Sequence, residues 1–479
     1  MVDNFGFRTP HPDNNNSDSS YLTWLKGKAQ TDSAEGYWRI HDSYYDLTEF
    51  ASNHPGGAEW IQFTQGHDIT ELFESHHPNM RKVKQLLNKF LIDTKPEKKR
   101  NTCGFTFDEN GFYCTLRNRA WEVLEKCGTG PTTGMLVLHS SLLALFLVFI
   151  VVSVLPLSGK LWWLCSVASG FFLSLLAMCS HNFYHQKNSW RNYCFDLSIP
   201  SSHEWRVTHC YSHHTYPNTA YDFEVSSAVN VMNFYPVEHL TKVPGLRSII
   251  TMQIVFLLGF ISMLIRRHFL LLRGSIPFRL EYLLPHITYL LLVGIYSFAG
   301  SKYHEDTSSV FSFPLTSLLL VYMTSSYFFL SISLAAGHHH PDIWHDGDLQ
   351  LGEKIDWGIL QLCAVGEKPD IDHSMVLSSV SFGRHVLHHL FPTVDNSKLY
   401  LLQPVLERTC ADFNIKYFDI GKNKEAQKLP IKSTRQLSAY EGWIGMWRQL
   451  WRSATSSKNF VTYSSLNVKR SSQRSKKVD

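Results

Sequence analysis

Long apolar runs are confined to the middle of the chain, and polar stretches occupy both ends. A helix needs about 20 mainly apolar residues to cross a bilayer core. Four runs meet that length: Gly134–Leu157, Leu161–Cys179, Tyr282–Gly300 and Val310–Ala336. Only Ser158-Gly159-Lys160 separates the first two, which predicts a hairpin turned at one membrane face. A fifth run, Gly245–Ile265, is also long enough. It has Lys242 and Arg247 at its start and Arg266, Arg267 and Arg273 after it, and basic residues at both ends favour a helix lying in the interface. Before these runs, Tyr37 to Ile92 alternates short apolar groups with turn residues and predicts a compact α+β module. The expected fold is an N-terminal α+β domain followed by an all-α multi-pass membrane domain, with four transmembrane helices plus interfacial helices.

The pattern divides the 479 residues. Residues 1–20 are rich in Asn, Ser and Asp and are expected to be disordered. The α+β domain covers 21–94, a basic linker and pre-membrane segment 95–132, the membrane domain 133–415, a cytosolic segment 416–453 and a disordered basic tail 454–479. No basic start followed by an apolar core opens the chain, so no secretory signal peptide is expected. The net charge of +4 is too mild to call for nucleic acid. The nine cysteines form no CxxC pair, which suits free thiols in a reducing compartment.

The chemistry is carried by histidines. His54-Pro-Gly-Gly57 offers a ligand in a tight turn whose glycines allow close backbone approach. An electron-carrying haem needs two strong axial ligands, and Leu72-Phe-Glu-Ser-His-His-Pro78 supplies the second in His77 or His76. Three boxes follow: His181-Asn-Phe-Tyr-His185, His209-Cys-Tyr-Ser-His213-His214 and His385-Val-Leu-His388-His389. His181 and His185 share a helix face and suit one metal ion. Adjacent histidines point about 100° apart on a helix, so His213 and His214, like His388 and His389, suit two different ions. Imidazole serves iron and zinc alike. If the boxes form one site, box one and box three share a membrane face, which four spans satisfy and five do not.

The stretch Tyr37-Trp-Arg-Ile-His, Tyr45 to Phe50, His54 to Gly57 and Gly66 to Phe73 resembles cytochrome b5. That family places its second haem ligand four residues after the position of Phe73, which picks His77 over His76. The boxes, with Trp205, Asn218, Asp222 and Leu390-Phe-Pro-Thr393 beside them, resemble the membrane fatty-acid desaturases that carry a fused cytochrome b5 domain. Within that group the chain most resembles the insect cytochrome b5-related proteins. The resemblance implies one further ligand in Gly337-His-His-His-Pro341, where His339 matches by its distance from Pro341 and His338 and His340 stay open. Departures stand beside it. His385 occupies a position that is usually glutamine, Asn182 and Tyr184 replace an aspartate and a glycine, and box two has an extra residue before its histidine pair.

The resemblance implies haem b on His54 and His77, two non-haem iron ions on the boxes, and a fatty acyl substrate, free as acyl-CoA or bound in membrane lipid. Electrons would come from NADH through a separate NADH–cytochrome b5 reductase, since no GxGxxG signature is present. The expected reaction is oxygen-dependent desaturation. A fatty acyl or sphingolipid hydroxylase is the alternative enzyme, and a catalytically silent haem- and lipid-binding membrane protein the alternative from another class. Basic residues in Lys95–Arg100 and in the tail place termini and boxes in the cytosol. Lys476-Lys-Val-Asp479 resembles the di-lysine signal of endoplasmic reticulum membrane proteins.

Overall fold

The computed structural model describes residues 20–93, 100, 105–155, 159–186, 189–228, 232–236, 245–300, 309–348, 354–415 and 437–455. The expectations for residues 1–19, for most of Lys95–Arg100, for most of the segment 416–453 and for the basic tail after Thr455 lie outside them.

Helix α1 (Tyr21–Asp32) starts at Ser20, whose hydroxyl accepts from the Thr23 amide while Thr23 returns a bond to the Ser20 amide. A three-stranded antiparallel sheet follows, β1 (Trp38–Ile40), β2 (Ser43–Tyr45) and β3 (Leu91–Asp93), with Trp38 opposite Tyr45. Between its second and third strands run α2 (Ala58–Phe63), α3 (Thr70–His76) and α4 (Met80–Leu87). Trp38, Ile40, Leu47, Leu72 and Phe73 are buried between sheet and helices. The Trp38 indole donates to the Ile61 carbonyl at 3.0 Å, which locks α2 onto the sheet.

The described part of the stretch read as a linker and pre-membrane segment is built into the fold. Arg100 forms ion pairs with Asp68 at 2.6 Å and Glu71 at 2.7 Å. Strand β4 (Phe105–Thr106) pairs in parallel with β5 (Ile355–Asp356), with Phe105 opposite Ile355, about 250 residues later in the chain. Helix α5 (Phe112–Cys127) buries Tyr113, Leu116, Ala120 and Leu124 against the helices Trp357–Ala364 and Gln403–Asp412. This segment is a strut between the two domains.

Five helices among the described residues are long and apolar enough to cross a membrane: Thr133–Val152, Gly159–Tyr184, Ile249–Leu272, Leu280–Ala299 and Ser309–Ile332. Helices α6 (Thr133–Val152) and α7 (Gly159–Tyr184) pack as the hairpin the short turn predicts. The helix Ser309–Tyr327 runs parallel to α7. Ser166 meets Ser317 at 3.0 Å, and the missing side chain of Gly170 admits the Val321 carbonyl, which a Cβ would meet at 2.5 Å. Small residues permit this close approach where lipid gives no hydrophobic drive between helices. Box one and the Gly337–Pro341 segment therefore emerge at the same end.

Length and composition do not separate Gly245–Leu272 from the other four. Its residues 253, 256, 259 and 260 all meet the end of the neighbouring span within Ser326–Leu330, so the two helices cross. Arg267 near its C-terminus binds Glu204 at 3.0 Å and the Ile199 carbonyl at 2.8 Å, both in the layer that holds the boxes. Met252, Phe256 and Phe260 are buried, while Ile254, Leu258, Ile265 and Phe269 are exposed along the opposite side. One face of the helix is thus buried, and the other is apolar and turned outward.

Candidate dimetal centre and haem site

The haem site is assembled by two backbone anchors. Gly57 at φ +111° turns the chain so that its carbonyl meets His54 Nδ1 at 3.0 Å. His77, which caps α3, has Nδ1 at 2.8 Å from the Phe73 carbonyl. Each anchor leaves Nε2 free to ligate. The two ring centres are 6.2 Å apart. A metal–nitrogen bond of about 2 Å on each side, plus the half-width of each ring, gives about 6.5 Å, so the pair fits one axially ligated iron. Burial pushes His77 down to about 4 and holds His54 below the usual imidazole range, which favours the neutral, ligating form. His76 turns away. Its ring centre lies 5.8 Å from that of Trp60, and its Nδ1 faces the Leu72 carbonyl at 3.1 Å.

The three boxes converge. His181 and His185, on the last turns of α7, place their Nε2 atoms 3.0 Å apart. His181 Nε2 also lies 2.7 Å from His209 Nε2 and 3.3 Å from His388 Nε2. With His214 these form a group of five buried imidazoles. A second group joins His213, His338 and His389, and His385 Nε2 is 3.2 Å from His338 Nε2. The adjacent pairs thus separate, His214 and His388 to one group and His213 and His389 to the other.

The donor chemistry fits metal ions. One imidazole nitrogen carries one proton or one lone pair, so His181 Nε2 cannot satisfy three other Nε2 atoms by hydrogen bonding. Bonds of about 2.1 Å to one ion put neighbouring ligands about 3 Å apart, which is the spacing found. Carboxylates orient several rings from behind: Glu224 meets His209 Nδ1 at 2.8 Å and Asp222 meets His213 Nδ1 at 2.8 Å. Gln361 Oε1 faces His389 Nδ1 at 3.1 Å. The Asn218 amide donates to the carbonyls of His338, Trp344 and Ala364, each at 3.1 Å, and ties the segment around His338 to the site.

His339 is a correction. Its ring stacks on Phe234 with centres 3.7 Å apart, and its Nδ1 faces His345 at 3.1 Å, away from the group. The short helix Ala335–His338, which follows the π-helix Phe328–Leu334, ends on His338 and brings that histidine into the group instead. His340 packs under the helix Ala439–Ala454, beside Gly445.

The departures also have physical accounts. Box two forms a π-helix, Arg206–His213, and the His214 amide bonds to the His209 carbonyl five residues back. The wider turn absorbs the extra residue and leaves His209 and His214 facing each other, with Nε2 atoms 3.1 Å apart. Asn182 is a tie: its amide donates to Asp395 at 2.6 Å, and its carbonyl accepts from the Asn396 amide at 3.0 Å, joining box one to the loop after box three. Tyr184 stacks beside His185 and edges against Phe195.

The haem module sits directly on this centre. Glu59 reaches Arg206 at 2.7 Å and His203 at 3.3 Å, both at the start of box two. Lys28, paired with Asp32 at 2.7 Å, lies over the rings of Tyr211, Tyr216 and Tyr221. The Tyr113 hydroxyl donates to the Leu390 carbonyl at 3.2 Å and lies within 3.5 Å of the Glu74 and Ser75 carbonyls. Thr393 donates to the His76 carbonyl at 3.3 Å. The Leu390–Thr393 phrase is therefore the seat of the haem-ligand helix. The sequence signalled Asn218 and Asp222 by position but gave no sign of Glu224, Gln361 or Glu59, whose partners lie on other elements.

Comparison with known proteins agrees with both halves. Residues 24–94 match the cytochrome b5-like haem/steroid binding domain, and residues 161–421 match the fatty acid desaturase family. The chain is 34% identical over 404 residues to a cytochrome b5-related protein of Drosophila melanogaster, covering 82% of this chain and 86% of that one. It is 24% identical to acyl-lipid (8-3)-desaturase B of Dictyostelium discoideum, over 79% of this chain and 86% of that one, and 21% identical to acyl-lipid (8-3)-desaturase of Mortierella alpina, over 83% and 92%. No solved structure matches. An imidazole-lined centre at one end of an apolar bundle, with a haem-type module seated on it, and these matches together place the chain in the fatty acid desaturase family, as a membrane protein with a cytochrome b5-like haem-binding domain at its N-terminal end.

Proposed function

We propose that the protein is a membrane-bound, oxygen-dependent fatty acyl desaturase that draws electrons through its own haem module. The observation that supports this most is the convergence of the boxed histidines into two buried groups of Nε2 atoms. His181, His185, His209, His214 and His388 would hold one iron, and His213, His338, His385 and His389 a second. His54 and His77 would hold haem b. When bound, the paired irons supply reductive activation of oxygen, with two hydrogens leaving a methylene pair of the acyl chain and water formed.

The chain's own residues fix that chemistry in place. Glu224, Asp222 and Gln361 hold ring tautomers so that Nε2 faces inward. Burial of all nine histidines of the two groups keeps bulk water out. His76, next to the ligand His77 in the chain, accepts at its carbonyl from Thr393 in the loop that follows box three. That placement supports a short electron route from haem to the histidine centre.

Electrons would reach the haem from NADH through a separate NADH–cytochrome b5 reductase, and the substrate would be an acyl-CoA or an acyl group of a membrane lipid. On this reading Gly245–Leu272 is an interfacial helix beside four spans, with termini and histidines on the cytosolic face of the endoplasmic reticulum membrane.

The test is elemental analysis of detergent-purified protein beside its haem absorbance, followed by lipid-product profiling with saturated acyl-CoAs. About two non-haem irons per haem and a new double bond support the reading. One haem without other iron after iron-replete expression overturns it, and an oxygen-labelled product replaces desaturation with hydroxylation.

A further inference from the structure

Outside the histidine centre, one cation stands without a counter-charge at the expected membrane boundary. Arg191 follows box one on the turn Trp190–Ser198. Among the described residues it meets no carboxylate. Its guanidinium contacts His139 Nδ1 at 2.7 Å and the Ser140 hydroxyl at 3.1 Å, and lies over the Trp190 ring at 4.5 Å. Trp190 is 57% and Tyr193 55% exposed, and exposed aromatics of this kind mark the headgroup level of a bilayer. Beside Arg191 a groove of about 420 Å³ runs along α6, lined by Thr133, Leu136, Val137, Ser140, Ser141 and Ala144.

We propose that this groove is a phospholipid site, with a glycerophospholipid phosphate on Arg191 and Ser140 and an acyl chain along Leu136, Val137 and Ala144. The charge argument selects the ligand. An arginine at the membrane interface is stabilised by an anion, and a guanidinium takes phosphate in charge-assisted hydrogen bonds. The groove combines that cation with an apolar floor, which a free phosphate would leave uncovered and a headless lipid would leave uncompensated. The positive N-terminal end of α6 at Thr133 adds to the attraction. The site also touches the histidine centre indirectly: His139 Nε2 meets the Ser180 hydroxyl at 3.0 Å, and Ser180 precedes the ligand His181. A bound lipid would thereby brace the last turn of α7.

The test compares wild type with Arg191→Gln, after delipidation in detergent, by native mass spectrometry with added phosphatidylserine, diacylglycerol or inorganic phosphate. Wild type is expected to retain phosphatidylserine, and Arg191→Gln to bind it about tenfold more weakly, with haem absorbance and metal content unchanged as the check on folding. Arg191→Lys is expected to keep part of the affinity. Equal retention by wild type and Arg191→Gln overturns the proposal. So does diacylglycerol binding as tightly as phosphatidylserine, which leaves an apolar groove only, or inorganic phosphate binding alone as tightly, which leaves a free-anion site. None of these readouts depends on turnover, so the desaturase reading and this one fail separately.

Discussion

The haem module and the histidine centre both work by fixing imidazoles, yet they do so by opposite routes. In the module, each ligand's Nδ1 faces a carbonyl three or four residues away, from His54 to Gly57 and from His77 to Phe73. In the centre, the orienting groups come from separate elements, Glu224 and Asp222 behind box two and Gln361 behind box three. A site held by its own local backbone survives changes elsewhere in the fold. A site held by many elements exists only when all of them are in place.

The largest effects should break that comparison in two. His213→Ala is expected to empty the second metal group while leaving haem absorbance intact, and His77→Ala to abolish the bis-histidine haem spectrum while leaving non-haem iron in place. Loss of both cofactors in either variant would show that the two sites fold as one. His338→Ala should lower non-haem iron as far as His213→Ala does, and His339→Ala should leave it unchanged, with elemental analysis reading both.

Smaller effects sharpen the difference. Asp222→Asn keeps the shape but weakens the hold on His213, and about 10- to 100-fold weaker metal affinity is expected in competition with a chelator. No equivalent single side chain stands behind His54. The seating of the module should also respond to acid. The hydrogen bond from His203, against burial and with Arg206 and Arg279 helping, lowers Glu59 from 4.5 to about 2. Such a depressed carboxylate contributes its stability above 4.5 and loses it as pH falls from 4.5 toward 2. Limited proteolysis between the domains should therefore accelerate across that window, and Glu59→Gln should already show the faster cleavage at neutral pH.

The same contrast explains what could be read from the chain. His54 was legible because glycine in a turn and its neighbours are adjacent in sequence. The boxes were legible because helical spacing places His181 with His185 and splits His388 from His389. His338 was not, because three adjacent histidines look alike in sequence and only the contacts of His339 with Phe234 and His345 tell the two apart. The strut formed by α5 was read as a linker, since the partner of β4 lies at Ile355 and nothing local announces it. Gly245–Leu272 has the composition of a span, and its contacts with Ser326–Leu330 could not be read from that composition.

The seating of the haem module on Leu390–Thr393 and on the box two tyrosines has a kinetic consequence. A carrier that diffuses must find its acceptor afresh for each electron, at a rate that rises with its concentration. Here the carrier is already in register, so transfer inside the chain is a first-order event, indifferent to dilution. The place that a free cytochrome would need is occupied by the chain's own. Supplying more soluble cytochrome should then neither speed the reaction nor rescue a chain whose haem ligands are lost.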